Sequence, residues 1–470
     1  MNRMKVALAA LLLFAAGHAS AETPVTAKLA DVKLPRYEQV RLPNGLTLLL
    51  MERHDVPLIA FHGRLRGGAL ADPQGKEGVG AIAAELIQKG SGKRNAQQFA
   101  EAVDSVGGQL SVSAGREATT ISAEFMAKDR GLMLELLSDI LRRPSLPKEE
   151  FEKVSQREIE SIRAAKDGDP RNLVPRYFNA FLFASHPYGR AASESSLGTI
   201  AHEDVANYVR DQFGADRAIF AFVGAFDAKS FAAEVRKTFG DWKKASGALA
   251  AAGDTKPATG RRVLLVDKPD ATQTYFSIGN VGMARTDSDR VLADVANIAF
   301  GGRFTSMLNT ELRIKSGLSY GASSSLVRET KPGTVSINSY TKTETTGKAL
   351  DLALEVLGRL RSDGLDATTL ASVQRYAVGQ FPPTLETGGQ LAARLTELSF
   401  YGLDRSDVET YASKIQSAER EGVQRVINRL YPAEENLTFV LVGNAAEIRE
   451  VAKKYGEVTE IKITDPRFAP

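Results

Sequence analysis

The chain has 470 residues and contains no cysteine, a single tryptophan and only five histidines. Each shortage removes a class of chemistry. Without cysteine there is no disulfide framework, no thiolate nucleophile and no thiolate metal site, so stability must come from burial. The histidines are His18, His54, His62, His186 and His202, and no two of them stand three, four or five residues apart. Two imidazoles therefore never meet on one face of a helix turn, which argues against a self-contained zinc site of that kind. Charge of either sign is also not in excess: 60 basic and 57 acidic residues leave a net charge of +3, and no basic patch points to nucleic acid. Beyond the N-terminus, no apolar run approaches the roughly 20 residues that a membrane-spanning helix needs.

What is present begins with a leader. Arg3 and Lys5 precede an apolar run from Val6 to Ala16, and Ala19-Ser20-Ala21 offers a small-residue cleavage site before Glu22. The run is too short for an anchor and reads as a secretory signal peptide over residues 1–21, cleaved after Ala21. The expected location is the periplasm, with no membrane contact after cleavage.

The remainder, about 450 residues, exceeds what one hydrophobic core serves and predicts two domains or more. A break in composition falls at residues 243–262, KKASGALAAAGDTKPATGRR, which lacks apolar periodicity and reads as a linker. The flanking segments look alike. Glu52, Asp55 and Phe61 match Asp267, Asp270 and Phe276 at a constant offset of about 215 residues, and two apolar strands end in Val-Gly at Gly224 and Gly443. The economical reading is an internal duplication: an N-terminal domain over 35–242 and a C-terminal domain over 263–460. In the first, a hairpin over 38–66 is expected, then helices at 78–88 and 96–106. Strands at 110–114 and 119–125 follow, then helices at 132–143, 147–166 and 202–213. Helices grouped between strand pairs, without strict alternation, give an α+β class for both domains.

Several stretches together carry a resemblance: LPNGLTLLLMERHDVP (42–57), RGGALADPQGKEGVGAIAAELIQKGSGKR (66–94), HPYGR (186–190), VGAFD (223–227) and FGGRFTSMLNTELRIKSGLSYGASS (300–324). In order and spacing the chain resembles the pitrilysin/insulinase (M16) family of inverted-motif zinc endopeptidases, in the short two-domain form that pairs as separate subunits. Family members carry H-x-x-E-H on the first long helix, where two imidazoles four apart bind zinc and the carboxylate between them activates water. By this resemblance the motif positions fall on Ala81, Ala84 and Glu85, so neither imidazole is present. The family's third ligand, a Glu on a later helix, corresponds to the neighbourhood of Ser161, with Glu158 and Glu160 close by. No metal is expected in this chain.

The second domain keeps what the first has lost. In ELRIKSGLSYG, Arg313 and Tyr320 look like the Arg/Tyr pair that the family's second domain brings to substrate, where both donate hydrogen bonds to the peptide and to the oxyanion. On spacing alone, an Arg on an amphipathic helix and a Tyr opening a strand are also ordinary surface residues. The glycines of FGGRF lack the G-x-x-x-x-G-K-[ST] context of a phosphate loop and read as a turn. The strand over Ser111–Ala114 corresponds to the family's substrate-pairing edge. The resemblance implies a non-zinc subunit of a heterodimeric endopeptidase, with peptide as substrate, a homologous zinc-bearing subunit as partner and zinc held in that partner. The alternative is a catalytically inactive scaffold or peptide-binding protein.

Overall fold

The computed structural model describes residues 32–470; the signal-peptide reading lies outside the described residues. Twelve strands form two six-stranded sheets. The first sheet uses β1 (Glu38–Arg41), β2 (Thr47–Glu52), β3 (Leu58–Arg66), β4 (Gln109–Ala114), β5 (Ala118–Met126) and β6 (Ala218–Gly224), in the order β1-β2-β6-β3-β5-β4. The second uses β7 (Arg262–Asp267), β8 (Gln273–Val281), β9 (Ala322–Val327), β10 (Thr334–Lys342), β11 (Thr438–Gly443) and β12 (Glu457–Lys462), in the order β9-β10-β8-β11-β7-β12. Two α+β domains thus repeat one plan, and residues 243–260 between them form neither helix nor strand.

The duplication extends to single hydrogen bonds. Glu52 closes β2 and its carboxylate accepts the N–H of Ala228, the first residue of a helix, at 2.8 Å. Asp267 closes β7 and accepts the N–H of Ala445, again the first residue of a helix, at 3.0 Å. Each acid satisfies a donor that a helix start leaves without a partner.

One expectation is corrected. The strands at either end of the 38–66 segment do not pair as a hairpin across the turn at residues 53–57: β6 lies between β2 and β3, parallel to the first and antiparallel to the second. The hairpin is instead β1 with β2. The reason is burial. All seven residues of β6, AIFAFVG, are buried, and so continuous an apolar strand belongs at the centre of a sheet rather than at its edge. Gly224 ends it at φ +157°, against the carbonyl of Leu58, where a side chain has no room.

The first-domain helices expected from periodicity are present as α1 Val79–Leu86, α2 Ala96–Asp104, α3 Arg130–Arg142, α4 Lys148–Asp167 and α6 His202–Gln212, and α5 Val174–Phe183, which was not expected, lies between the last two. In the second are α7 Arg290–Asn297, α8 Thr346–Asp363, α9 Ala367–Gln380, α10 Gly388–Tyr401 and α11 Arg420–Leu430. Capping residues start several of them, with reciprocal boxes at Asn95/Gln98 and Thr387/Gln390.

The two domains also exchange helices. Helix α10 of the second domain packs on β3 and β6 of the first sheet, while α5 of the first packs on β8 and β11 of the second. Alternate residues show it. On β2, Leu48 and Leu50 join the first domain's main core, whereas Leu49 and Met51 join Leu391, Leu395 and Leu398 of α10. On β7, Leu264 and Val266 pack into the first domain's core while Val263 and Leu265 pack into their own. The C-terminal tail adds to the join, with the Phe468 ring edge-on to Tyr177 at 4.9 Å.

Candidate functional site

Helix α1 is fixed at its start by Asp72, whose buried carboxylate accepts the N–H groups of Gly78 at 2.7 Å and Gly80 at 2.9 Å. Burial pushes the Asp72 pKa up to about 7, against the pull of those two hydrogen bonds. At the motif positions, Ala81 is exposed, Ala84 is buried at 1 % exposure, and Glu85 is half-buried. Helix α4 packs on α1. Its Arg157 forms an ion pair with Glu85, which raises the guanidinium pKa chiefly through that hydrogen bond, and Lys89 approaches Glu85 at 3.6 Å. Ser161 is exposed one turn beyond Arg157.

These residues do not fit a zinc ion. Two of the three motif side chains are methyl groups, the third is held by a guanidinium, and a second cation stands beside it. Among the described residues, no group of three or more His, Asp or Glu side chains is arranged to hold a metal. The described histidines are engaged or distant. His202 contacts the Leu146 carbonyl at 2.6 Å, and His186 accepts the Tyr188 N–H at 3.1 Å. His54 is exposed near Glu52, and His62 is buried against the Thr396 hydroxyl at 2.6 Å.

Strand β4 forms the edge of the first sheet, with β5 as its single neighbour, and runs beside α1. It carries Ser111–Ala114, so the expected edge position is where the structure has it.

Arg313 and Tyr320 stand on the second domain. Ser306 caps a helical segment that continues through Thr310–Lys315 in a wider turn, burying Leu308 and Leu312 and turning Arg313 outward. A one-turn widening of this kind re-aims the side chains that follow it. Gly317, at φ +63°, ends the segment, and the Ser319 N–H returns to the Leu312 carbonyl at 3.0 Å. Tyr320 then projects from the approach to β9 and is 77 % exposed. The Arg313 guanidinium lies 4.9 Å over the Phe304 ring, which is its single partner among the described residues; the Tyr320 hydroxyl has none there. Phe304, Ile314 and Tyr376 are also exposed. A cavity of about 430 Å³ begins at Gly321, next to Tyr320, and runs between α5 and the second sheet. Val174 and Phe178 wall it, and Ser277, Ser336 and Asn338 line its floor.

Sequence reasoning missed Arg157 and Phe304. Arg157 had a signal, since it lies four residues before Ser161 and so shares its helix face. Phe304 had none, because stacking across a nine-residue separation depends on how the intervening turn widens.

Residues 65–195 match the insulinase family, peptidase family M16, and residues 199–376 match the peptidase M16 inactive domain. The chain belongs to the M16 family. An uncharacterised zinc protease of Mycobacterium tuberculosis is 27% identical over 354 residues, 73% of this chain and 79% of that protein. Among solved structures, a peptidase M16 inactive domain from Pseudomonas fluorescens superposes with a TM-score of 0.80 at 19% identity, covering 87% of this chain and 98% of the other. The periplasmic protease PqqL from Escherichia coli gives 0.73 at 15% identity, covering 88% of this chain and 46% of its own. At these identities the structural likenesses speak for the fold.

Proposed function

We propose that this protein is the non-zinc subunit of a heterodimeric periplasmic endopeptidase, supplying Arg313 and Tyr320 to an active site whose zinc is held by a homologous partner. The observation that carries this reading is the disposition of that pair. A guanidinium whose single partner among the described residues is the Phe304 ring and a phenol with none there both face outward, while the same chain has Ala81, Ala84 and Glu85 where the resemblance places a metal site. Donors without a metal make half of a peptidase centre.

In the assembled site, Arg313 and Tyr320 orient the substrate backbone and stabilise the oxyanion formed as water, activated in the partner, attacks the scissile carbonyl. The polar floor and apolar wall of the adjoining cavity suit a short or unfolded peptide. The signal-peptide reading of residues 1–21 supports the location.

A second reading is an inactive scaffold or peptide-binding protein, favoured by the match of residues 199–376 to the M16 inactive domain. Reconstitution separates the two. The purified chain is mixed with a homologue carrying H-x-x-E-H, and turnover of a quenched-fluorescence peptide is measured. The first reading expects activity in the mixture alone and a loss of about 100- to 1000-fold in Arg313→Ala, the usual effect of removing one oxyanion donor. Unchanged turnover in that variant, or chelator-sensitive cleavage by this chain alone, overturns it. A stable complex or homodimer without activity favours the scaffold.

A further inference from the structure

The two domains are joined at one point by a polar cluster that neither the fold nor the peptidase reading requires. Glu117, between β4 and β5, is buried and accepts three hydrogen bonds. One comes from the Tyr188 hydroxyl at 2.6 Å, and two come from the second domain, from the Thr330 N–H at 3.0 Å and hydroxyl at 2.9 Å. The Tyr188 hydroxyl in turn accepts the Lys331 N–H at 3.1 Å. Next to Thr330 in the chain, Glu329 comes within 3.6 Å of Arg116, the neighbour of Glu117, and the Arg116 guanidinium also sits over the Tyr188 ring. The β9–β10 loop, residues 328–333, is therefore fastened to the first domain through two adjacent carboxyl groups. Its two ends, Val327 and Thr334, line the interdomain cavity.

We propose that Glu117 and Glu329 form a proton-held clasp, which fastens the β9–β10 loop to the first domain while one proton is present and loosens the cavity lining at Val327 and Thr334 when it leaves.

The electrostatics agree with the geometry. Burial is the main cause that pushes Glu329 up to about 7; Glu117 adds to the rise, while Arg116 and Arg64 oppose it. Arg66 faces Glu117 from β3, and the Tyr401 hydroxyl of α10 feels both carboxylates. Two carboxyl groups this close resist carrying two charges at once. A carboxyl whose pKa is raised in the closed state stabilises that state fully below its free value of 4.5, and the stabilisation is lost as pH rises to about 7. The clasp is thus closed in acid and released near neutrality. It stands whether or not Arg313 and Tyr320 serve a peptidase.

Hydrogen exchange of the peptic fragment spanning 328–333 in the full chain tests it, because the Thr330 and Lys331 amides are themselves clasp donors. After correction for intrinsic exchange, the opening equilibrium is expected to rise about tenfold per pH unit between pH 5 and 7 and to level off above that. Glu329→Gln, which is neutral throughout, is expected to abolish the slope, and Glu117→Gln to shift its upper limit to lower pH. A flat wild-type profile overturns the proposal, as does an unchanged slope in Glu329→Gln. Should that variant misfold by circular dichroism, an unshifted profile in Glu117→Gln overturns it equally.

Discussion

Arg157 of α4 is ion-paired with Glu85 of α1, joining the two helices. Because Arg157 is 53 % and Glu85 27 % exposed, the pair contributes modestly. Arg157→Ala is expected to lower stability by no more than about 1 kcal/mol. The loss should shrink in high salt, and the melting temperature of the wild-type chain should be indifferent to EDTA. Scanning calorimetry with and without salt and chelator checks all three.

The stack of Arg313 on Phe304 positions a charge that has no side-chain hydrogen-bonding partner among the described residues. An exposed cation–π contact is worth about 0.5–1 kcal/mol, so Phe304→Ala should cost the reconstituted pair about two- to fivefold in turnover, far less than Arg313→Ala. Phe304→Tyr, which keeps an aromatic face, should restore it. Equal losses in Phe304→Ala and Phe304→Tyr would argue that the ring contributes packing rather than orientation.

The duplicated plan was legible because it rests on local signals. Val-Gly strand ends, capped helices and the acids Glu52 and Asp267 are all readable within a few residues. What covers each sheet was not legible. Periodicity shows that Leu49 and Met51 face something apolar, but nothing in β2 names α10, more than 300 residues away, as the cover. The misplaced hairpin has the same origin: β2 and β3 are neighbours in sequence, yet the more deeply buried β6 takes the place between them. At the candidate site, the shortage of histidine was visible in composition, whereas the Arg157–Glu85 ion pair needed the α1–α4 contact.

His62 makes the packing of α10 on β3 sensitive to acid. Burial, with Arg64 nearby, lowers its pKa from 6.5 to about 4, so the folded chain holds the imidazole neutral where the unfolded chain protonates it. The folded state then binds fewer protons between pH 4 and 6.5, and its stability rises with pH across that window. This slope is opposite in sign to that of Glu329. Urea denaturation of wild type and His62→Gln at several pH values isolates it, since the difference between them should favour the wild type increasingly up to pH 6.5 and then stay constant. A constant difference from pH 4 onward would show that the imidazole is not held neutral.

The exchange of α5 and α10 bears on whether the domains unfold separately. Leu395 of α10 is 1 % exposed and packs among Leu49, Met51 and Val223 of the other domain. Leu395→Ala is expected to cost about 2–5 kcal/mol, the range for truncating a buried leucine that leaves a cavity. If the domains were independent, that loss would fall on one of two transitions. Because α10 is continuous with the second domain while burying a face of the first sheet, one cooperative transition is expected in both wild type and variant, shifted as a whole to lower urea with an unchanged slope. A biphasic curve in the variant, with one phase left at the wild-type midpoint, would mean that the exchanged helix does not couple the two halves.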